Sequence, residues 1–134
     1  MTIAMNGLAV YALVIATNIL FHREAVRFLE THAAITDKAS LEAFKNLARR
    51  NMKAVFPLIG AFIVGMTLTA RLIIHYPLIG FTTFLLINVL LVSSALALNK
   101  VERWARELPC PDPALASEYQ RISQSWLSDL WPGF

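Results

Sequence analysis

Few side chains in this 134-residue chain combine a reactive type with a spacing that could do chemistry. His22, His32 and His75 raise the question of a metal or haem. Helix-borne sites usually pair their ligands at a spacing such as Glu-x-x-His, and no such pair occurs here. His22 follows one apolar stretch and His75 ends another, so in a membrane-spanning arrangement a bilayer's thickness would part them. No metal and no cofactor is expected. His22, beside Arg23 and Glu24, has the chemistry of a proton-transfer group, and ordinary interfacial polarity explains the same triplet. Cys110 is the only cysteine, which excludes an internal disulfide and a cysteine-only metal cage. Neither a glycine-rich phosphate loop nor a Gly-x-Ser-x-Gly elbow is present.

A second group of polar residues lies inside apolar stretches. Asn88 has a carboxamide that must find a partner if lipid surrounds it, so it is expected to face another helix. Asn18, Thr17, Thr67 and Thr69 are its candidate partners. Ala61, Gly65 and Thr69 recur at a spacing of four, as do Ala12 and Ala16, and such strips let helix backbones approach closely. They argue for self-association or for a partner subunit. With no Asp, Glu or Lys inside these stretches, an ion or proton pump is not expected.

The elements that carry these residues are three apolar runs at about 3–21, 54–74 and 77–98. The last has no Asp, Glu, Lys, Arg or His, and at about 1.5 Å per residue it matches a hydrocarbon core of roughly 30 Å. A hydrophobic content of 57% and a mean hydropathy of +0.55 agree with a membrane protein. The first run lacks a basic flank before it and a small-residue cleavage site after it, so it is expected to be a retained span. Pro57 would fall in the first turn of the second span, and Tyr76-Pro77 would reverse the chain into the third. Arg71 can snorkel to a headgroup layer. Seven basic residues follow the first run (Arg23, Arg27, Lys38, Lys45, Arg49, Arg50 and Lys53) and four follow the third (Lys100, Arg103, Arg106 and Arg121). Only Arg71 lies on the other side. The positive-inside rule then places residues 23–52 and 99–134 in the cytoplasm and the N-terminus outside, in a bacterial inner membrane. The same rule accounts for the net charge of +3 without nucleic acid as a partner.

The fold expected is all-α: one membrane domain over 1–134, with three spans and amphipathic cytoplasmic helices in the connection and the tail. Leu41, Phe44, Leu47, Ala48, Met52 and Val55 repeat at i, i+3 and i+4, which suits a helix along the membrane surface before span two. Thr36 and Asp37 are capping types that can end one helix and begin the next. In the tail, Trp104 suits the headgroup layer, and Pro109 and Pro111 break the helix. Asp112 as N-cap and Pro113 start another, with Leu115, Tyr119, Ile122, Trp126 and Leu130 on one face and Trp131 beyond it. That helix either lies on the bilayer or packs beneath the bundle. Trp104, Trp126, Trp131 and Arg71 are the expected interface anchors.

Asn99, Arg103-Trp104, Pro109, Asp112 and the later segment with Arg121 and Trp126 resemble the anthrone-oxygenase-like family of small bacterial membrane proteins. The first connection, with Phe44 to Asn51 running into Phe56-Pro57-Leu58, has a similar layout. Members usually carry a fourth span after such a tail, where this sequence has Phe134 as its last residue. The resemblance implies a helical bundle and oxidation of a small aromatic or quinone-like substrate, with Asn99, Arg103 and Trp104 as matching residues at the cytoplasmic mouth and His22 on the same side. The residues themselves favour a non-catalytic or accessory subunit of a membrane assembly, either self-associated or joined to other membrane subunits.

Overall fold

The computed structural model describes residues 2–134, with side chains from Met5 onward. The expected start of the first span at Ile3 therefore falls within a helix whose first side chains lie outside the described residues. Four helices, α1 (Thr2–Thr31), α2 (Lys38–His75), α3 (Pro77–Arg106) and α4 (Pro113–Ser128), account for the regular structure, with no strands among the described residues. The first three are long and apolar enough to cross a membrane.

The helix ends follow from local chemistry. Asp37 accepts the Ser40 amide through Oδ1 at 2.7 Å, while Ser40 Oγ accepts the amides of Thr36 and Asp37 at 3.1 Å. These reciprocal bonds satisfy donors that a helix start leaves free, and the Ser40 backbone N–H is the main reason the Asp37 carboxyl is held below its usual range. Asp112 caps α4 by accepting the Ala114 amide at 2.8 Å, with Pro113 at the first helical position. Between α2 and α3 stands Tyr76 alone. Its amide bonds back to the Leu72 carbonyl, and its own carbonyl receives the Gly80 amide at 2.7 Å.

Pro57 departs from expectation. It lies in the interior of α2, not in the first turn of a separate span. Residues 38–56 contain no glycine or proline to stop the helix that Asp37 begins. The helix therefore runs through Pro57, whose missing N–H leaves the Lys53 carbonyl without its helical donor.

The chain packs as two compact units, and α1, α2 and α3 each contribute to both. The first comprises the chain up to Leu20 and Phe56–Ala97. Here Tyr11, 1% exposed, lies against Gly65, where an added Cβ would come within 3.2 Å of the ring, and meets Phe62 edge-on at 6.3 Å. A Cβ on Gly7 would come within 3.1 Å of Leu68 Cβ. The buried face of α1 is thus Gly7, Tyr11, Val14 and Asn18, whereas Ala12 and Ala16 are exposed. Small size alone marks the strip at Ala12 and Ala16 in the sequence. The structure instead pairs one large ring with the small residues of α2. Gly80 is the tightest point: a Cβ there would stand 2.7 Å from the Ile73 backbone, so α2 and α3 meet almost backbone to backbone.

The second unit, Phe21–Val55 with Leu98–Phe134, has a packed core of its own. Ala25, Phe28, Ile35, Phe44, Ala48, Val101, Ala105, Tyr119 and Ile122 are buried there. Phe44 is its hub, fully buried, with ring centroids 6.1 Å from Phe28, 4.8 Å from Tyr119 and 5.7 Å from Trp126. The apolar face of residues 41–52 is therefore covered by other helices of the same chain and is not laid open to a membrane surface. Of the two places open to α4, the structure selects packing: Leu115, Tyr119 and Ile122 are buried.

Candidate functional site

A cleft of about 300 Å³ in the second unit is lined by Asn51, Asn99, Glu102, Arg106 and Asp129 with Met52, Val55 and Trp126. Each lining element owes its position to the core just described. Asn51 follows Phe44, Leu47 and Ala48 on the buried face of α2, and Met52 beside it is buried as well. Glu102 lies one residue past buried Val101, and Arg106 one past buried Ala105.

Asn51 is only 6% exposed. Its amide nitrogen donates to Glu102 Oε1 at 2.7 Å, a bond between side chains 51 positions apart in sequence. A carboxylate only accepts, so the nitrogen must face it and Oδ1 must point the other way. Oδ1 is buried and has no hydrogen-bond partner. Such an atom costs about 1–3 kcal/mol relative to a satisfied one. The Arg106 guanidinium lies over the Trp126 ring at 5.4 Å. Asp129, by contrast, is occupied: it accepts Ser125 Oγ, and Ser128 Oγ at 3.0 Å. The cleft wall thus carries one carboxylate held from behind by Asn51 and one guanidinium braced on a ring, while the Asn51 amide oxygen stays buried. That set suits binding of a ligand with both donors and acceptors.

A second polar feature ends α3. The Ala105 carbonyl has no helical donor four residues on, because that position is Pro109. Tyr119 supplies the missing bond at 2.7 Å and receives the Leu108 amide at 3.0 Å. Burial pushes the Tyr119 phenol up to about 12. Nearby, the Ile35 amide donates to the Pro109 carbonyl at 2.9 Å. Ion pairs Arg50–Glu24 and Lys45–Glu118, and Arg49 donating to the Phe134 carbonyl at 2.7 Å, tie further segments of this unit together.

The residues singled out in the sequence are dispersed. Asn99 is exposed and lines the cleft, whereas Arg103 and Trp104 are exposed and lie outside its lining. His22 is half-buried on α1 and is likewise not among the lining residues. His32 stacks on Phe28 at 4.7 Å, with its Nδ1 within 2.8 Å of Thr31 Oγ1. No group of three potential metal ligands gathers among the described residues. All three tryptophans stand beneath a cation, Trp104 under Lys100 at 5.0 Å, Trp126 under Arg106, and Trp131 under Lys53 at 5.9 Å. Arg71 is exposed near the end of α2.

In the first unit Asn88 is half-buried and donates to Phe84 of its own helix at 2.8 Å. The amide that does cross between helices is Asn18, which donates to Ser94 Oγ at 3.1 Å. Thr17 and Thr67 return their hydroxyls to their own helices. Ala61 is half-buried, Gly65 buried, and Thr69 buried with its hydroxyl on the Gly65 carbonyl at 2.8 Å. The Tyr11 hydroxyl is also buried, without a hydrogen bond of good geometry, and has Thr69 as its polar neighbour.

In the sequence Asn51 and Glu102 have no assigned role, Arg106 is marked only as a basic flank, and Tyr119 is placed only on the apolar face of the tail helix. Asn51 carried a signal, being a polar residue on an otherwise apolar helical face. Comparisons of the chain with protein families, with curated proteins and with solved structures give no match.

Proposed function

We propose that this chain is a small multi-pass protein of a bacterial inner membrane and acts as a non-catalytic or accessory subunit of a membrane assembly. In this reading residues 3–21, 54–74 and 77–98 cross the bilayer. The amphipathic helices of residues 23–52 and 99–134 are cytoplasmic and the N-terminus is outside, a reading supported by eleven basic residues on one side against Arg71 on the other.

The observation that carries the proposal is where the apolar surface faces. Within the most apolar window of α1, α2 and α3, only 22%, 11% and 6% of residues are buried inside the chain. Leu78, Ile79, Leu86, Val89, Leu90 and Leu96 of α3 are all more than half exposed. A continuous apolar surface of this kind marks contact with lipid or with another membrane helix. The exposed Ala12 and Ala16 add a flat, small-residue face on α1. Meanwhile the second unit has a core of its own, which suits a docking body better than a substrate chamber. The oxygenase reading would need Asn99, Arg103, Trp104 and His22 around one pocket, and only Asn99 lines the cleft.

Purification in mild detergent followed by native mass spectrometry tests the assembly. Masses of two or more copies, or of a stable complex with another membrane protein, are expected. A single chain as the sole species would contradict the proposal. Labelling of Cys110 by a membrane-impermeant maleimide is expected only in inverted vesicles; labelling in intact cells would reverse the orientation.

A further inference from the structure

We propose that the exposed face of α3 formed by Lys100, Arg103 and Trp104 binds the phosphate of an anionic phospholipid. The inference rests on the membrane reading above, not on the subunit reading, and adds a lipid class to it.

The three residues lie at i, i+3 and i+4 of one helix, the spacing that puts side chains on a common face. All three are exposed, Trp104 at 48%. The Lys100 ammonium stands over the Trp104 ring at 5.0 Å and makes no ion pair. The Arg103 guanidinium has neither an ion pair nor a hydrogen bond to another described residue. An ammonium held by a ring keeps its full charge, because the ring offers a quadrupole and no net charge. The nearest carboxylates in sequence leave this pair of cations unmatched. Glu102 accepts the Asn51 amide, and Glu107 lies one turn past Arg103 without pairing to it. Lys53 over Trp131 at 5.9 Å repeats the arrangement on α2.

Charge along the second unit is sorted in the same sense. Residues 49–55 and 98–104, where the second apolar run begins and the third ends, hold Arg49, Arg50, Lys53, Lys100 and Arg103 against Glu102 alone. Residues 105–129 hold Arg106 and Arg121 against Glu107, Asp112, Glu118 and Asp129. Bases thus gather where the chain meets its apolar runs, and acids gather away from them. An anionic membrane surface attracts such bases, each worth about fivefold in affinity. A phosphodiester is acceptor-only and meets two donors on this face, a guanidinium fork and an ammonium. The Trp104 ring suits the same layer, being apolar with a polar N–H. The face also selects by headgroup. Ethanolamine and choline headgroups carry a cation beside the phosphate, which Lys100 and Arg103 repel; a glycerol headgroup carries none.

The test uses the full chain in detergent, with native mass spectrometry after addition of glycerol, ethanolamine or choline phospholipid of matched acyl chains. Retention of the glycerol lipid is expected to exceed that of either zwitterionic lipid by about tenfold. Lys100→Gln with Arg103→Gln, both at exposed positions that the fold does not need, should bring the three lipids to within about twofold of one another. Lys38→Gln with Arg121→Gln removes the same charge away from the apolar runs and should leave the preference as it was. Equal retention of the three lipids by the parent, or an undiminished preference without Lys100 and Arg103, overturns the proposal. So does an equal fall in the Lys38 and Arg121 variant, which would make net charge alone the cause. Inorganic phosphate at equal concentration is expected not to displace the lipid; full displacement overturns the lipid as source. Release of the chain from membranes by alkaline carbonate would sink the membrane reading, whereas a chain that stays in the membrane and retains the three lipids equally sinks this inference alone.

Discussion

Tyr119→Phe isolates a single hydroxyl. It keeps the ring that packs 4.8 Å from Phe44 and removes only the oxygen that accepts the Leu108 amide and donates to the Ala105 carbonyl. Neither backbone group has a replacement. Pro109 has no N–H for Ala105, and the carbonyls behind Leu108 are engaged by the Glu107 amide, which bonds to both Arg103 and Trp104. Ala105 is fully buried, so water cannot restore the bond without opening the end of α3. Leaving buried polar groups unsatisfied costs about 1–3 kcal/mol. Taking about 2 kcal/mol, the opening equilibrium of this turn rises roughly 30-fold. Amide hydrogen exchange of the detergent-solubilised protein reads that ratio directly where exchange follows the opening equilibrium. Amides of residues 105–108 and of Cys110, and that of Ile35, which bonds to the Pro109 carbonyl, should exchange roughly 30-fold faster than in the parent. Those of residues 84–94 should be unchanged. If these amides stay within about twofold, a cost below about 0.5 kcal/mol, the hydroxyl does not close α3 and the reasoning fails.

The same phenol gives a pH prediction. Its folded value of about 12 lies above its ordinary 10.0, so burial favours the neutral form. Stability from this group is complete below pH 10 and is lost as pH rises through 12; titration of phenolate absorbance should lose one late-titrating tyrosine in Tyr119→Phe relative to the parent. Phe44→Ala empties the hub of the second unit and should lower stability by about 3–5 kcal/mol, read as loss of cooperative thermal unfolding in detergent. Gly80→Ala puts a methyl 2.7 Å from the Ile73 backbone and should cost about 1–3 kcal/mol, whereas Gly60→Ala, with open space around it, should be nearly neutral in the same melt.

Much of the architecture was legible because apolar runs and capping residues are local signals. Three apolar runs free of Asp, Glu and Lys, Asp37 and Asp112 at helix starts, and the helical period of 41–52 each have their counterpart in α1 to α4. What the sequence left open was which neighbour each face meets. Periodicity marks Leu41, Phe44 and Ala48 as apolar without saying whether lipid or Tyr119 and Trp126 cover them. Small size drew attention to Ala12 and Ala16, yet α1 turns Tyr11 inward, since a ring seated on Gly65 buries more surface than two methyl groups. Asn88 and Asn18 are both carboxamides in apolar stretches, and only the helix register decides that Asn18 reaches Ser94. The cleft was least legible, because Asn51 and Glu102 lie 51 positions apart and become a pair only when α2 and α3 are placed side by side.

If α1, α2 and α3 lie in a bilayer, only detergent should free the chain from it, and alkaline carbonate extraction of membranes from cells producing the chain is the decisive measurement. The protein is predicted to remain wholly with the sedimented membranes and to leave them only with detergent; its appearance in the carbonate supernatant would contradict the claim.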